Sequence, residues 1–473
     1  MKRLTLVMTV FAVVFAAGIA SAEYVWEYAP NRKCEFGADL RLRLSHWDRD
    51  VLPPGLVSEP GPAVEYLRVR ERMWGCFDVT ENMQLMIRAT NRWHHFSSHF
   101  RDDNNQTSPF NGPGGGVTGN TWAFPDEVVL DNLYLDITQF MGTNWHLRLG
   151  RQDLMLGNGM VVLEGTPYDQ GRTIYFDGIT ATCDTEDETL RLFAFYNRYK
   201  DTFVFINDQN RRLRRGDTLV LGSYWTRRFK ESLNTDLYYI YTDIDDDREA
   251  STEWEAVEYG HGFDENATLQ VVGARLFGAL DAQTEYSIEA AKQFGEMSDS
   301  ADFTGELVDA RLNWKAADGT TWSPVVGFQY TYMSGDDTNS ADEYEGWHPM
   351  FAEYPIWREE LLPIKFNGHW TNLHQFRGQV VMHLRETEKW PMTLTTAYAY
   401  LRTDDADTPQ NVAPGLNAGG NGDEIGQLVS AFLDIGVSRN LSVSFEAAEF
   451  FPGDYYDDGQ TAEWLRCQAV YTF

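Results

Sequence analysis

The sequence predicts an all-β fold, a transmembrane up-and-down antiparallel β-barrel of about eighteen strands. Three observations carry this expectation. Runs alternating apolar and polar residues recur along the chain after residue 22, the period of a strand with two different faces. The connections between these runs alternate long and short. Aromatic residues make up 14% of the chain, yet beyond residue 22 no run reaches the length of a membrane helix. A membrane barrel reconciles rich aromatics with polar averages, because each strand shows lipid an apolar residue only at every second position.

The chain opens with MKRLTLVMTVFAVVFAAGIASA. Lys2 and Arg3 precede an apolar stretch from Leu4 to Ile19, and Ala20-Ser21-Ala22 supplies small residues for cleavage. This reads as a secretory signal peptide over 1–22, removed to leave a barrel over 23–473. Strands are expected near 36–49, 64–77, 82–93, 127–138, 144–153, 174–183, 188–197, 217–228, 232–243, 267–279, 282–294, 303–315, 321–334, 371–385, 390–403, 426–437, 440–451 and 462–473. Long connections follow the odd strands, and tight turns such as Met141-Gly142-Thr143, Leu280-Asp281 and Ser438-Arg439 follow the even ones. Outer-membrane barrels show this asymmetry, with long loops outside the cell and both termini in the periplasm. In the last strands Val429, Ala431, Leu433 and Ile435 share one face, as do Leu465, Cys467, Ala469, Tyr471 and the terminal Phe473. The opposite faces carry Ser442, Ser444, Glu446, Arg466 and Gln468, which places polar residues in a lumen.

The same parity sends arginines inward. Arg41 and Arg43 alternate with leucines, Arg68, Arg70 and Arg72 with Leu67, Val69 and Met73, and Arg88 and Arg92 oppose Leu85 and Ile87. Arg148, Arg311, Arg377 and Arg385 follow in later strands. Arginine facing lipid costs roughly 2–4 kcal/mol at mid-depth, which favours the lumen. Two readings stand side by side. The guanidinium ladder is a low-affinity track for an anionic chain, or the arginines pair with lumen acids such as Asp39, Asp136, Asp309 and Glu446 and stiffen the wall.

The formal charge of −32 argues against nucleic acid as a partner, since phosphate backbones need a basic surface. Acidic runs such as Asp243 to Asp247 read as solvated loop faces, and none has EF-hand spacing. Cys34 and Cys76 fall on opposite strand faces, Cys183 and Cys467 on outer faces, so unpaired thiols are expected. No metal spacing, P-loop, G-x-S-x-G or H-E-x-x-H occurs; neither cofactor, metal nor catalytic residue is assigned, and an enzyme is not expected. Arg211 to Arg215 form a basic run suited to lipopolysaccharide phosphate or to neighbouring loop acids. The loop at 335–370, with Trp347, Tyr354 and Trp357, suggests an ordered lid or plug whose aromatics pack on the barrel in preference to stacking sugar rings.

The stretch LRLGRQDLMLGNGMVVLEGTPYDQGRTIYFDG, from Leu147 to Gly178, begins as a strand and ends in one. Between lie Gly157-Asn158-Gly159 and Gly165-Thr166-Pro167, a shaped loop expected at or in the barrel mouth. This stretch, together with FGADLRLR at 36–43, YLRVRERMW at 66–74 and the C-terminal strands through VYTF, resembles the alginate export family of outer-membrane proteins. The resemblance covers most of the mature chain, and Gly150-Arg151-Gln152 with Phe176-Asp177-Gly178 is its most specific part. It implies an eighteen-stranded barrel in the outer membrane, an electropositive lumen that includes Arg68, Arg70, Arg88 and Arg148, and passage of an anionic uronic-acid polysaccharide. Gly150, Arg151, Gln152, Gly157, Asn158, Gly159, Asp177 and Gly178 are expected to form a constriction-loop motif. The expected partners are an anionic oligo- or polysaccharide, outer-membrane lipid and lipopolysaccharide, and periplasmic export components. The competing expectation is a general anion-preferring porin, or a structural envelope barrel, with no dedicated polysaccharide.

Overall fold

The structure is a computed structural model. It describes residues 24–30, 32–47, 64–96, 121–164, 175–198, 201, 203–206, 217–245, 266–298, 301–317, 319–337, 339–340, 342–352, 371–387, 389–406, 422–456 and 461–473. Eighteen of its strands build one closed wall. They are β1 Arg32–Trp47, β2 Val64–Thr80, β3 Met83–Phe96, β4 Thr121–Ile137, β5 Trp145–Gln152 and β6 Phe176–Asp184. Then come β7 Glu188–Asn197, β8 Asp217–Lys230, β9 Leu233–Asp245, β10 Asn266–Ala279, β11 Thr284–Ser298 and β12 Glu306–Lys315. The circuit finishes with β13 Val325–Met333, β14 Leu373–Arg385, β15 Met392–Arg402, β16 Glu424–Gly436, β17 Leu441–Pro452 and β18 Ala462–Thr472. Each strand pairs antiparallel with the next, and β1 pairs with β18 from Asp39↔Thr472 to Trp47↔Trp464, which closes the barrel. Closure removes the unpaired edges that an open sheet would expose to lipid. Every strand expected from the sequence is present.

A short strand, Tyr24–Ala29, was not expected. It pairs with the start of β1, from Tyr24↔Phe36 to Ala29↔Arg32, continuing the row in which β18 ends. Six residues, three of them aromatic, were too short a run to register as a strand.

Burial is inverted relative to a soluble protein. Met73 is 67% exposed and Phe328 61%, whereas Arg43 is 1% and Asp309 0% exposed. The exposed residues share strand parity with Ile179, Leu192, Leu237, Ile288 and Leu465, all also exposed. This greasy parity faces lipid, and polar groups begin where it ends. Toward the long-loop end, outward hydroxyls find polar partners, Tyr239 donating to Gln270 at 2.6 Å and Tyr398 to Gln427 at 3.0 Å. Toward the short-turn end Phe36 meets Phe77 edge-on at 5.4 Å. Aromatic rings at both borders are the girdle pattern of outer-membrane barrels. All four cysteines are free, and the register Cys34↔Phe77 and Glu35↔Cys76 puts Cys34 and Cys76 on opposite faces.

The inner face is not polar throughout, contrary to expectation. Toward the long loops, Phe193, Phe195, Ile240, Val271, Leu401 and Trp464 point inward and are buried. They seat two inserted segments. The first is a hairpin in which Leu154 pairs with Glu164 and Met155 with Leu163. The second runs through 342–352. Leu163 N donates to Phe351 O at 2.8 Å, and the Phe351 ring meets Phe176 at 5.3 Å. Trp347 is fully buried in this core. Its ring therefore packs inside the barrel; Tyr354 and Trp357 lie outside the described residues.

Candidate pore lining and constriction

The arginines of β1, β2 and β3 stand side by side across the wall. Arg43 is directly opposite Arg68, Arg41 opposite Arg70, and Arg70 opposite Arg92. Like charges in facing positions repel, so the arrangement needs anions nearby. Asp39 supplies one, accepting from Arg70 at 3.0 Å and from Arg72 at 2.5 Å. Arg43 also grips Gln468 of β18, at 2.9 and 2.7 Å. Next to Ser45, Arg466 pairs with Glu446 at 3.1 Å and lies over the Trp464 ring. Arg88 is held at 2.8 Å by Asp131 and at 3.1 Å by Asp153. Around this sector, among the described residues, eight arginines (Arg41, Arg43, Arg68, Arg70, Arg72, Arg88, Arg92 and Arg466) face Asp39, Asp131, Asp153 and Glu446, and Lys33, Glu35 and Asp78 share that face at the short-turn end.

Further round the wall, Arg148 forks onto Asp136 at 2.7 and 2.9 Å beneath the Tyr134 ring. Arg311 pairs with Asp309 at 2.6 Å. All four acids named from sequence as pairing candidates thus hold an arginine. Arg377 is inward and buried. Arg385 is different. It sits exposed at the short-turn end of β14, beyond a bulge, and donates to Thr387 Oγ1 at 2.9 Å. The bulge breaks the parity that the sequence reading extrapolated, so Arg385 belongs to the rim and not to the lining.

The expected constriction-loop motif divides into two parts. Gly150, Arg151, Asp177 and Gly178 lie in the wall itself, with Gly150 opposite Gly178 and Arg151 opposite Asp177. Arg151 shares parity with Leu147 and Leu149, the lipid-facing side, yet it is 3% exposed. It forks onto Asp177 at 2.7 and 2.8 Å, and gives Nη1 to Leu130 O at 2.8 Å and to Asp201 at 2.9 Å. Tyr175 and Phe203 cover the guanidinium at 3.6 and 4.6 Å. The reason lies in strand length. β5 and β6 stop short while β4 runs on, and 204–206 takes the vacated place, pairing Val204 with Val129. Arg151 ties β4, β5, β6 and this patch together. Gly150 has φ +124°, and a methyl there would lie 2.2 Å from Leu133 O; one at Gly178 would lie 2.1 Å from Ala194 O. These four are wall residues, which corrects their assignment to the constriction. Gln152 faces inward and accepts from Thr180 at 2.7 Å.

Gly157, Asn158 and Gly159 do reach into the lumen. They form the tip of the inserted hairpin, with φ +54° and +77° at the glycines, a left-handed geometry that only glycine adopts cheaply. Asn158 accepts from Arg275 Nη1 at 2.9 Å and donates to Ser287 Oγ at 2.9 Å. Behind the tip is an acidic wall of which the sequence reading named only Asp309. Asp236, Glu289 and Asp309 sit on β9, β11 and β12, with Arg275 opposite both Asp236 and Glu289. Only the strand register places them together; their sequence spacing carries no signal. Among the described residues no three His, Cys, Asp or Glu side chains are arranged to hold a metal.

A closed eighteen-strand barrel with a lipid-facing apolar belt, a charged interior and an inserted hairpin defines an outer-membrane channel of the porin class. The alginate export family model matches residues 32–468, and the chain belongs to that family. A comparison with curated proteins returns no match. Solved structures match over 93% of this chain. Acinetobacter baumannii OccAB2 is 13% identical at TM-score 0.54 with 98% of its own chain covered. Pseudomonas aeruginosa OccK9 (OpdG) is 12% identical at TM-score 0.55, also with 98% covered. Pseudomonas aeruginosa OccK2 (OpdF), solved in complex with glucuronate, is 10% identical at TM-score 0.50 with 98% covered. At such identities the likeness concerns the fold.

Proposed function

We propose that this channel passes an anionic saccharide of the uronate type between the periplasm and the cell exterior, without covalent chemistry. The observation that carries the proposal is the excess of inward arginines over carboxylates from β18 through β3. A guanidinium fork matches a carboxylate in shape and charge, and a row of them lets an acidic chain exchange one contact for the next. Membership of the alginate export family and the glucuronate bound by a barrel of similar fold support the same substrate class. In this reading residues 1–22 direct export and are removed, and 23–473 form the barrel. Lipid and lipopolysaccharide surround the apolar belt, and periplasmic export components deliver the chain. The basic run Arg211 to Arg215 lies outside the described residues.

The test is block of chloride current by a uronate tetrasaccharide in planar bilayers. The double change Arg68→Gln and Arg70→Gln is chosen because Asp39 keeps Arg72 as a partner, whereas losing Arg88 would strand Asp131 and Asp153. Block should weaken roughly tenfold or more, as two charge-assisted contacts are lost. The second reading, a general anion-preferring porin, is favoured by the carboxylates already paired with Arg70, Arg72, Arg88 and Arg148. It requires the tetrasaccharide to leave chloride current untouched in the unmodified protein.

A further inference from the structure

We infer that Arg275, Ser287 and Glu289 form a saccharide-hydroxyl subsite on the inner wall, and that the carboxamide of Asn158 occupies it at rest. The inference rests on the reading that a saccharide passes through the barrel. It starts from hydrogen-bond satisfaction. Asp236 accepts from Tyr224 and Thr226 at 2.6 Å each and from Arg275 Nε at 2.7 Å. Asp309 accepts from Arg311 at 2.6 Å, Gln329 at 2.7 Å and Thr331 at 2.9 Å. Glu289 is different. Its Oε1 accepts from Tyr238 at 2.9 Å, but its Oε2 is buried with no hydrogen-bond partner in the structure. Glu289 is 2% exposed, and a buried carboxylate oxygen left without a donor is costly.

That oxygen borders the hairpin tip. A methyl built on Gly157 would lie 3.5 Å from Glu289 Oε2, 3.5 Å from Arg275 Nε and 2.9 Å from the Tyr224 hydroxyl. Beside it, Asn158 Oδ1 accepts a hydrogen bond from Arg275 Nη1 and its Nδ2 donates one to Ser287 Oγ. The wall thus offers one donor, one hydroxyl and one unused acceptor within a small area. The amide satisfies the first two, but its second N–H makes no hydrogen bond to Glu289 Oε2, which stays idle. A hydroxyl both donates and accepts. Adjacent sugar hydroxyls can accept a hydrogen bond from Arg275, donate one to Glu289 Oε2 and share one with Ser287. The site suits hydroxyls better than a carboxylate, since three wall acids outnumber Arg275 and Arg311. The substrate carboxylate is left to the arginines across the lumen.

The tip can lift while the residues on either side of it stay packed. Leu154 and Leu156 before it and Met160 to Leu163 after it are buried in the inner core, while Gly157 and Gly159 flank Asn158 as hinges. Displacement of three residues exposes the site without unpacking that core.

Single-channel recording of the full chain in KCl tests this. Asn158→Ala should shorten the closed dwell roughly tenfold or more, from loss of one charge-assisted and one neutral hydrogen bond. Ser287→Ala should shorten it less, and unchanged heat-modifiable mobility on gels checks that both variants fold. Maltotetraose, a neutral tetrasaccharide, should lengthen openings of the unmodified channel and have no such effect on Asn158→Ala. Closed dwells within twofold of the unmodified protein in Asn158→Ala would overturn the self-occupied site. Lack of response to maltotetraose, or a response that survives in Asn158→Ala, would overturn the hydroxyl subsite. Anion preference is read separately from the zero-current potential. An anion-selective channel indifferent to Asn158 sinks this inference alone, and an Asn158-gated channel without anion preference sinks the uronate reading alone.

Discussion

At the scale of single residues, Arg151 shows how a motif and its role can part company. Its sequence position beside a glycine-rich loop suggested a constriction. Its parity, already visible in Leu147 and Leu149, placed it on the outer side, and the fork onto Asp177 explains why lipid never meets the charge. Replacing Arg151 with Met takes the cation from Asp201, which is buried, and from Asp177, whose side chain is 31% exposed. The expected cost is about 3–5 kcal/mol, the usual penalty for breaking a buried ion pair by removing one partner. Thermal unfolding in detergent, followed by loss of the compact gel band, should show a marked fall in transition temperature. An unchanged transition would mean the network contributes little. Gly178→Ala should also destabilise, because its new methyl overlaps the Ala194 carbonyl.

At the scale of elements, strand alternation was legible because lipid imposes it on every outward position. Leu312 on β12 and Ile288 on β11 are exposed neighbours on the belt. Ile288→Arg is therefore expected to cost about 2–4 kcal/mol in folding from urea into lipid vesicles, while Thr395→Arg on the inner face, where no arginine stands opposite, should cost far less. Equal costs would mean the faces are misassigned. What the sequence hid was whatever breaks the alternation or depends on register. The bulge before Arg385, the short β5 and β6 with their 204–206 patch, and the meeting of Asp236, Arg275 and Glu289 across β9 to β11 all arise from pairing between strands distant in sequence. Likewise, inward Phe193 and Phe195 read as ordinary aromatic strand residues until the inserted hairpin supplies the surface they pack against.

At the scale of the whole molecule, a chain with formal charge −32 sets a group of its arginines on the lumen face. Bulk charge and pore charge are separate quantities, because ions in a narrow passage respond to the groups within about a Debye length, roughly 8–10 Å at ordinary salt. The lumen is also asymmetric. From β18 through β3 it is arginine-rich, while the opposite wall is acidic in mid-section and apolar toward the long loops. The inserted hairpin rests on that opposite wall, which under the proposed function leaves the arginine side for passage. Selectivity should weaken as salt rises, since screening reduces the lumen potential. The most direct measurement is the zero-current potential of the reconstituted barrel across a tenfold KCl gradient at low ionic strength. Chloride should permeate more readily than potassium, and the preference should shrink in Arg68→Gln with Arg70→Gln. Potassium preference in the unmodified protein would contradict an arginine-lined pathway.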